Sequence, residues 1–391
     1  MGSLAVQLGS FHGAQILNPS TVKKKLKRKS FSFSRVNALY ADDGEIAPQS
    51  KGDGFSFYGG KYSDERDKTD DWWARGDFMY AYSPQGSSNT VKEPLFGMKL
   101  GAQSQISSNE YRWFYVEEGT NNNHTILLLH GLCSQAYSFR HVISILAKDY
   151  HVIAVDWLGF GFSDKPLYGN GFNYTTQEYT NALSCLVDRL KSNQISIVAQ
   201  GHFTPPVVEY ISANPFKIVK LIMINPPVSK EHSALPSNLL EFTNLFLGDI
   251  FSQDPFKASD GAMSRISYYA ITEEDKMVYR KPYLSSGSAG FALKSVIKSF
   301  KKELKDSILS VRSLLTSKNW ETPIYFIGGL NDRWLNYKSL KTFCEEFQFK
   351  LITLDKGGHL LQEDIEIDLA NIITGTLIVM YVQVVFQLML L

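Results

Sequence analysis

Continuous apolar runs separated by helical patterns dominate the middle of the chain. The runs 124–131 (HTILLLHG), 150–159 (YHVIAVDWLG) and 194–201 (QISIVAQG) are typical of strands that are buried on both faces. Between them, apolar residues recur at helical spacing over 138–149 and 175–192, where Thr175 or Thr176 is placed to cap the helix. Strands that alternate with helices predict an α/β fold with a mostly parallel central sheet flanked by helices.

A long helical interval interrupts this alternation. Further strands are predicted at 111–119, 219–227, 322–332 and 349–359, and a further helix at 205–215. The interval 228–321 is aromatic-rich and helical and has no buried-strand pattern, although a crossover needs only a short connection. We therefore expect a domain over 96–378 with an inserted helical cap at 228–321, above the carboxyl ends of the strands, where open α/β sheets hold their sites.

Composition narrows the function classes. The chain has 391 residues, 44% of them hydrophobic, and a formal net charge of +1. The near-neutral balance argues against a nucleic-acid partner. Its three cysteines, Cys133, Cys185 and Cys344, are far apart and form no CxxC pair, so neither a disulfide framework nor a zinc site is expected. We predict no metal and no cofactor.

The N-terminal part differs from the middle. Residues 1–41 contain no Asp or Glu and carry the basic run 23–29 (KKKLKRK). This composition favours a transit peptide, and it favours import into a plastid over import into a mitochondrion. A nuclear address or a solvated tail is the alternative for the lysine run. Residues 42–95 have poor periodicity and are predicted to be an irregular extension or linker, in which Trp72 and Trp73 could dock on the core or on a partner.

The C-terminal residues are apolar. Residues 366–377 have the pattern of a last amphipathic helix, which leaves an apolar tail at 379–391. The uncharged stretch 372–391 just reaches the length of a membrane span, but without the helix the remainder is too short to cross a bilayer. Membrane association through this tail and a variant C-terminus both stay open.

Two motifs lie at the ends of predicted buried strands. In 127–140 (LLLHGLCSQAYSFR), His130 and Gly131 end a strand, and the following turn offers the backbone N–H of Leu132 to an oxyanion hole. In 152–166 (VIAVDWLGFGFSDKP), a strand ends at Asp156 and continues into a Gly-x-Gly-x-Ser-x-x-Pro loop. With these motifs the chain resembles the α/β-hydrolase fold, in the capped branch that includes epoxide hydrolases and haloalkane dehalogenases.

This resemblance implies a catalytic triad in the chain order nucleophile, acid, histidine. Asp332, in 328–336 (GGLNDRWLN), matches the acid, and His359, in 354–364 (LDKGGHLLQED), matches the histidine. The nucleophile belongs at the strand-turn-helix elbow in 196–205 (SIVAQGHFTP), where the matching residue is Gly201. His202 follows it and is the second expected oxyanion donor.

No register of the elbow restores a nucleophile. A shift by one residue places Gln200 or His202 at the tip, and Thr204 is expected to cap the following helix. Glycine adopts the strained backbone of the tip freely. Phe203 stands where the family has a small residue, so either the turn has relaxed or Phe203 plugs the cleft.

Three functions remain from the sequence. The first is a pseudoenzyme that binds a small apolar molecule under the cap. The second is a lyase- or oxygenase-like enzyme that uses a His359–Asp332 dyad as general base without a covalent intermediate. The third is a hydrolase that uses Cys133, although free cysteines are usually packed residues. Ordinary serine-hydrolase or dehalogenase activity is not expected.

Overall fold

The computed structural model describes residues 67–83 and 110–389, apart from 122, 193, 232–234, 261–262, 264–266 and 268. For 379–389 the description covers the backbone alone. All of these residues belong to one compact unit, Ser63–Leu391. The transit peptide predicted at 1–41 and most of the extension predicted at 42–95 lie outside the described residues.

Eight strands form one sheet in the order β1-β2-β4-β3-β5-β6-β7-β8. β1 pairs with β2 and β2 with β4 in antiparallel fashion, and every later pair is parallel. The prediction of a mostly parallel α/β sheet is confirmed. The strands are β1 Gly76–Ala81, β2 Tyr111–Glu118, β3 Thr125–Leu129, β4 His151–Val155, β5 Ile195–Gln200, β6 Ile218–Ile224, β7 Ile324–Gly329 and β8 Lys350–Leu354.

Helices cover both faces of this sheet, so β3, β4 and β5 are buried at every position, as their unbroken apolar runs indicate. The α3 helix begins after Thr175, whose hydroxyl accepts from Glu178 N in a capping box. The helices are α1 Lys68–Arg75, α2 Arg140–Leu146, α3 Thr176–Arg189, α4 Thr204–Ala213, α5 Ser237–Leu240, α6 Gly248–Ser252, α7 Glu273–Ser285, α8 Ser288–Leu315, α9 Tyr337–Glu346, α10 Leu361–Asp364 and α11 Glu366–Met389.

The chain between β6 and β7 contains helices joined by turns and loops. The helices α5–α8 fall in the interval 228–321, and no strand occurs among the described residues of that interval. The α8 helix packs against α4, which follows β5. This contact brings the inserted helices to the carboxyl end of the central strands.

Part of the interval 42–95 is regular, which corrects the prediction of an irregular extension there. Residues 68–81 form α1 and β1, and β1 adds an antiparallel edge strand to β2. Trp72 is buried against Phe114 and Tyr137, whereas Trp73 keeps 46% of its surface exposed. The segment becomes ordered because Trp72 docks on the core, a long-range contact that local periodicity does not reveal.

The last helix, α11, continues without a break from Glu366 to Met389 and so extends beyond the helix predicted at 366–377. Leu369, Ala370 and Ile373 are fully buried in the core. Among the helices in the described part of the chain, none combines the length and the apolar character that a bilayer crossing demands.

Candidate active site

The turn after β5 keeps a left-handed backbone at Gly201, whose φ is +61°. A short 3-10 turn, Gly201–Phe203, follows and leads into α4. The Thr204 hydroxyl donates to the Gly201 carbonyl at 3.0 Å, which closes this turn. Of the two alternatives for this turn, a relaxed backbone finds no support here, because Gly201 keeps the left-handed conformation that glycine adopts without strain.

Asp332 and His359 come together from two neighbouring loops. Asp332 follows β7 and His359 follows β8, and His359 Nδ1 lies 2.8 Å from Asp332 Oδ2. The other carboxylate oxygen accepts from the backbone N–H groups of Trp334, at 2.7 Å, and Leu335, at 2.9 Å. Because an ionised carboxylate only accepts, this geometry assigns the proton to Nδ1 and leaves the lone pair on Nε2.

Nε2 of His359 faces the elbow. A Cβ atom built on Gly201 would lie 3.0 Å from Nε2 and 3.3 Å from Cε1 of this ring. Nε2 is buried and makes no hydrogen bond with any residue that the structure describes. His359 Nε2, the nitrogen with the lone pair, therefore borders the space that a side chain at position 201 would occupy.

Buried amides hold the His359 loop in place. The carbonyl of His359 accepts from Gln200 Nε2 at 3.1 Å and from Asn225 Nδ2 at 3.0 Å. Asn225 also accepts from Gly329 N at 2.8 Å, so one side chain ties the end of β6 to the end of β7 and to the loop after β8. Sequence reasoning missed Asn225. Its only sign in the sequence is a polar side chain directly after the apolar residues of β6.

Aromatic rings surround the dyad. Trp334 lies 5.0 Å from the His359 ring and 6.1 Å from the His202 ring, measured between ring centroids. His202 and His359 are 6.2 Å apart, and all three side chains are buried. Trp334 was not singled out from the sequence, and its position two residues after Asp332 carries no motif. The base therefore lies in a buried, largely aromatic environment.

The turn after β3 adjoins the elbow. β3 pairs with β5 in parallel, and a Cβ on Gly131 would lie 1.7 Å from Gln200 Oε1, so any larger residue there would displace the Gln200 amide. His130 Nε2 accepts from Trp157 N at 3.1 Å, and its Nδ1 donates to the Gly131 carbonyl at 2.8 Å. Burial lowers the pKa of His130 to about 3, in keeping with this neutral ring.

Leu132 is fully buried in this same turn. Since the peptide bond is trans, its N–H lies on the opposite side from the Gly131 carbonyl and points away from the His130 ring. The predicted oxyanion donors Leu132 and His202 thus occupy two adjoining turns at the carboxyl ends of β3 and β5.

Cys133 follows Leu132 and is buried, with a φ of +58°. Burial raises the pKa of its thiol, which disfavours the thiolate. The structure thus places Cys133 near the elbow but in an environment that suppresses its nucleophilicity.

The Asp156 motif has a structural role. Its carboxylate accepts from Ala136 N and Phe162 N, both at 2.7 Å, and so joins the turn after β3 to the glycine loop after β4. A Cβ on Gly161 would come within 2.0 Å of this carboxylate, which explains the glycine. Burial raises the pKa of Asp156 to about 6 against the lowering effect of its backbone donors.

Phe203, the bulky residue after the elbow, packs into a cluster of rings. Its ring stacks on Trp157 at 5.0 Å and contacts Phe300 of α8 at the same distance. The side chain is fully buried and joins the core to the inserted helices. Whether it also closes the cleft stays a prediction.

No group of three or more His, Cys, Asp or Glu side chains among the described residues is arranged to hold a metal ion.

Known proteins share this architecture. The chain is 26% identical over 287 residues to epoxide hydrolase 4 of Mus musculus, a match that covers 66% of this chain and 74% of that protein. It is 34% identical over 114 residues to a haloalkane dehalogenase of Psychrobacter cryohalolentis, which covers 29% of this chain but only 37% of that enzyme. The solved haloalkane dehalogenase DbeA from Bradyrhizobium elkani is 17% identical, with a TM-score of 0.61 over 77% of this chain and 97% of that one, and shows the same fold.

The family itself follows from the sequence profile. Residues 124–364, more than half of the chain, match the family described as alpha/beta hydrolase fold. This segment includes the turn after β3, the elbow, the inserted helices and the dyad. The chain belongs to the alpha/beta hydrolase fold family.

Proposed function

We propose that the chain is a hydrolase-fold protein whose nucleophile position is Gly201, and that it binds a small, largely apolar molecule beneath α5–α8. The observation that carries this proposal is the buried Nε2 of His359, which has no hydrogen-bond partner among the described residues and faces Gly201. A buried polar atom is normally paired. We infer that a hydroxyl or amide N–H of the ligand donates to it.

The surroundings of Nε2 support an apolar ligand body. Trp334 lies beside the imidazole, and Phe203 and Phe300 continue the aromatic surface from the elbow to α8. Two relatives are named for reactions on epoxides and haloalkanes, which are small molecules of mainly apolar character. A ligand of that kind with one polar group could place that group at His359 Nε2.

Matched pairs of apolar probes test this proposal. Naphthalene and 2-naphthol differ by one hydroxyl group, and we expect 2-naphthol to raise the melting temperature of the protein more than naphthalene does. The difference should vanish in His359→Ala, which removes the acceptor, and persist in Cys133→Ala. Equal shifts for the two probes in the wild-type protein, or an unchanged difference in His359→Ala, would refute the assignment of the ligand contact.

The ordered dyad favours a second function, general-base catalysis without a covalent intermediate. The 2.8 Å bond from His359 Nδ1 to Asp332 fixes the imidazole with its lone pair toward the elbow. A positioned base contributes about 10²–10⁴-fold to a rate. Such a base could serve a lyase- or oxygenase-like reaction in which the substrate itself gives up a proton.

The ring opening of 5-nitrobenzisoxazole, which needs only a base, reports this activity through its coloured product. We expect the wild-type protein to accelerate it, and His359→Ala and Asp332→Asn to lose the acceleration. Activity that survives in both variants would exclude the dyad as the base.

The Cys133 hydrolase is the least supported alternative because burial raises the pKa of this thiol. In the folded protein, iodoacetamide should modify the half-buried Cys185 before the buried Cys133. Modification of Cys133 first, together with loss of esterase activity, would reinstate this alternative.

For the terminal segments we propose a plastid address in residues 1–41, on the basis of their composition. A reporter fused to residues 1–45 should enter isolated chloroplasts, and import into mitochondria instead would favour the alternative address. Membrane association through 379–391 is a separate proposal, which deletion of that segment tests.

A further inference from the structure

A cluster of large apolar side chains stands exposed on the inserted helices, far along the chain from the dyad. It comprises residues just before and within α6 and one residue after it, and we call it the cap patch. Its members and their exposed fractions are Leu245 82%, Phe246 85%, Leu247 45%, Ile250 64% and Phe256 46%. Single exposed apolar residues are ordinary, but a contiguous group marks an interaction surface.

The backbone beneath the cap patch is held in place. Asn244 Oδ1 accepts from Phe246 N at 3.0 Å and Leu247 N at 3.3 Å, which forms a turn. A Cβ on Gly248 would lie 2.3 Å from the Phe242 carbonyl, and Phe242 itself is buried. Because these hydrogen bonds and the close approach of Gly248 to the Phe242 carbonyl define the turn, Leu245 and Phe246 are presented outward by the fold.

Basic residues border the cap patch. The α8 helix carries six basic and two acidic residues. Lys294 forms an ion pair with Asp249 within α6, and Lys301 donates to Thr243 at 3.2 Å, so both ammonium groups lie next to the patch. Lys298 and Lys305 are exposed at helical spacing from these two, which continues one basic face along α8.

We propose that the cap patch inserts into the surface of an anionic membrane, with the lysine face of α8 against the lipid headgroups. Protruding Leu, Phe and Ile side chains bordered by lysines are the combination that peripheral membrane-binding segments use. The lysines lie within reach of headgroups once the apolar side chains are inserted, and each adds electrostatic attraction to anionic lipid. This proposal is independent of the ligand proposed for the dyad.

Site-specific labelling tests insertion in the full-length chain. Phe246→Cys and Phe216→Cys are each placed in a Cys185→Ser background and labelled with the fluorophore NBD. Phe216 is 89% exposed but lies outside the cap patch, between α4 and β6, so it is the matched control. With vesicles of phosphatidylcholine and phosphatidylglycerol, NBD at position 246 should brighten and be quenched by nitroxide-labelled lipid, while NBD at position 216 should not.

Equal responses at the two positions, or none at either, would overturn insertion through the cap patch. The labelled site distinguishes this contact from binding through other parts of the chain, since only an inserted position meets the lipid quencher.

Two further variants test the apolar and basic parts. Phe246→Ser should lower partitioning to these vesicles at least tenfold, whereas Phe216→Ser should leave it unchanged. Lys298→Gln with Lys301→Gln should weaken binding by roughly fivefold for each lysine, because a basic residue near an anionic surface contributes about 1 kcal/mol. The control pair Lys338→Gln with Lys341→Gln, on α9, should have no such effect.

Melting temperatures verify that each variant folds. Wild-type binding that is equally strong on pure phosphatidylcholine vesicles would overturn the role of the lysines. A wild-type dimer in light scattering that Phe246→Ser dissociates, with no NBD quenching at position 246, would overturn the membrane proposal in favour of a contact between two copies of the chain.

Discussion

Substitution of Gly201 by alanine measures how closely the elbow and the base approach each other. The new Cβ would lie 3.0 Å from His359 Nε2, whereas carbon contacts are optimal at about 3.5–4.0 Å. The φ of +61° adds strain for any residue with a side chain. Gly169 offers the matched control, because its φ is +84° and a Cβ there would meet nothing within 4 Å.

Both substitutions place a side chain on a left-handed backbone, but only Gly201→Ala also crowds a neighbouring ring. A left-handed alanine costs about 1–2 kcal/mol, and the loss of glycine flexibility in the unfolded chain returns roughly 0.4–1 kcal/mol. Gly169→Ala should therefore destabilise the protein by about 1 kcal/mol. Gly201→Ala also crowds a ring that Asp332 holds, and overpacking of this kind costs about 1–3 kcal/mol more.

Urea unfolding followed by circular dichroism gives both free energies of unfolding. We expect Gly201→Ala to be the less stable variant by about 1–3 kcal/mol, and Gly201→Ser to recover about 0.5–1.5 kcal/mol of that through a hydrogen bond to His359 Nε2. Equal stabilities of Gly201→Ala and Gly169→Ala would show that no side chain at position 201 meets His359, and the reasoning about the elbow would fail.

Other predictions concern the stability that buried residues outside the dyad contribute, and urea unfolding measures each free energy of unfolding. Trp72→Ala should cost about 3–5 kcal/mol, and Trp73→Ala much less, because only Trp72 is buried. Asn225→Ala should cost about 2–4 kcal/mol because it removes three buried hydrogen bonds to backbone groups. A native pKa of about 3 for His130 means that below about pH 6.5 the unfolded chain binds a proton that the folded chain does not. Stability from His130 should therefore fall with falling pH, by up to about 1.4 kcal/mol per unit between pH 6 and 4, and His130→Gln should remove this slope.

The sequence predicts the sheet well because burial on both faces leaves a strong local pattern. The apolar runs of β3 and β5 end at the turns that carry Leu132 and Gly201, and each turn contains a glycine. Asp332 and His359 were found through their motifs and their order along the chain. The structure brings these two side chains together as that order implies.

The residues that sequence reasoning missed act through long-range contacts. Asn225 joins the end of β7 to the loop after β8, and Trp334 borders the dyad only because the loops after β7 and β8 meet. The pattern of 42–95 predicts an irregular extension and misses the order of 68–81, because that order depends on the docking of Trp72. Such contacts leave no periodic pattern, since each depends on a partner that the fold supplies.

Covalent labelling of position 201 tests the central claim most directly. A fluorophosphonate probe should leave the wild-type protein unlabelled at the elbow and should phosphonylate Gly201→Ser at position 201, as found by mass spectrometry of peptides. The reaction should disappear when Gly201→Ser is combined with His359→Ala, because the base is then lost. Failure to label a folded Gly201→Ser protein, or labelling of the wild type at the elbow, would contradict the proposal that Gly201 occupies the nucleophile position beside an intact dyad.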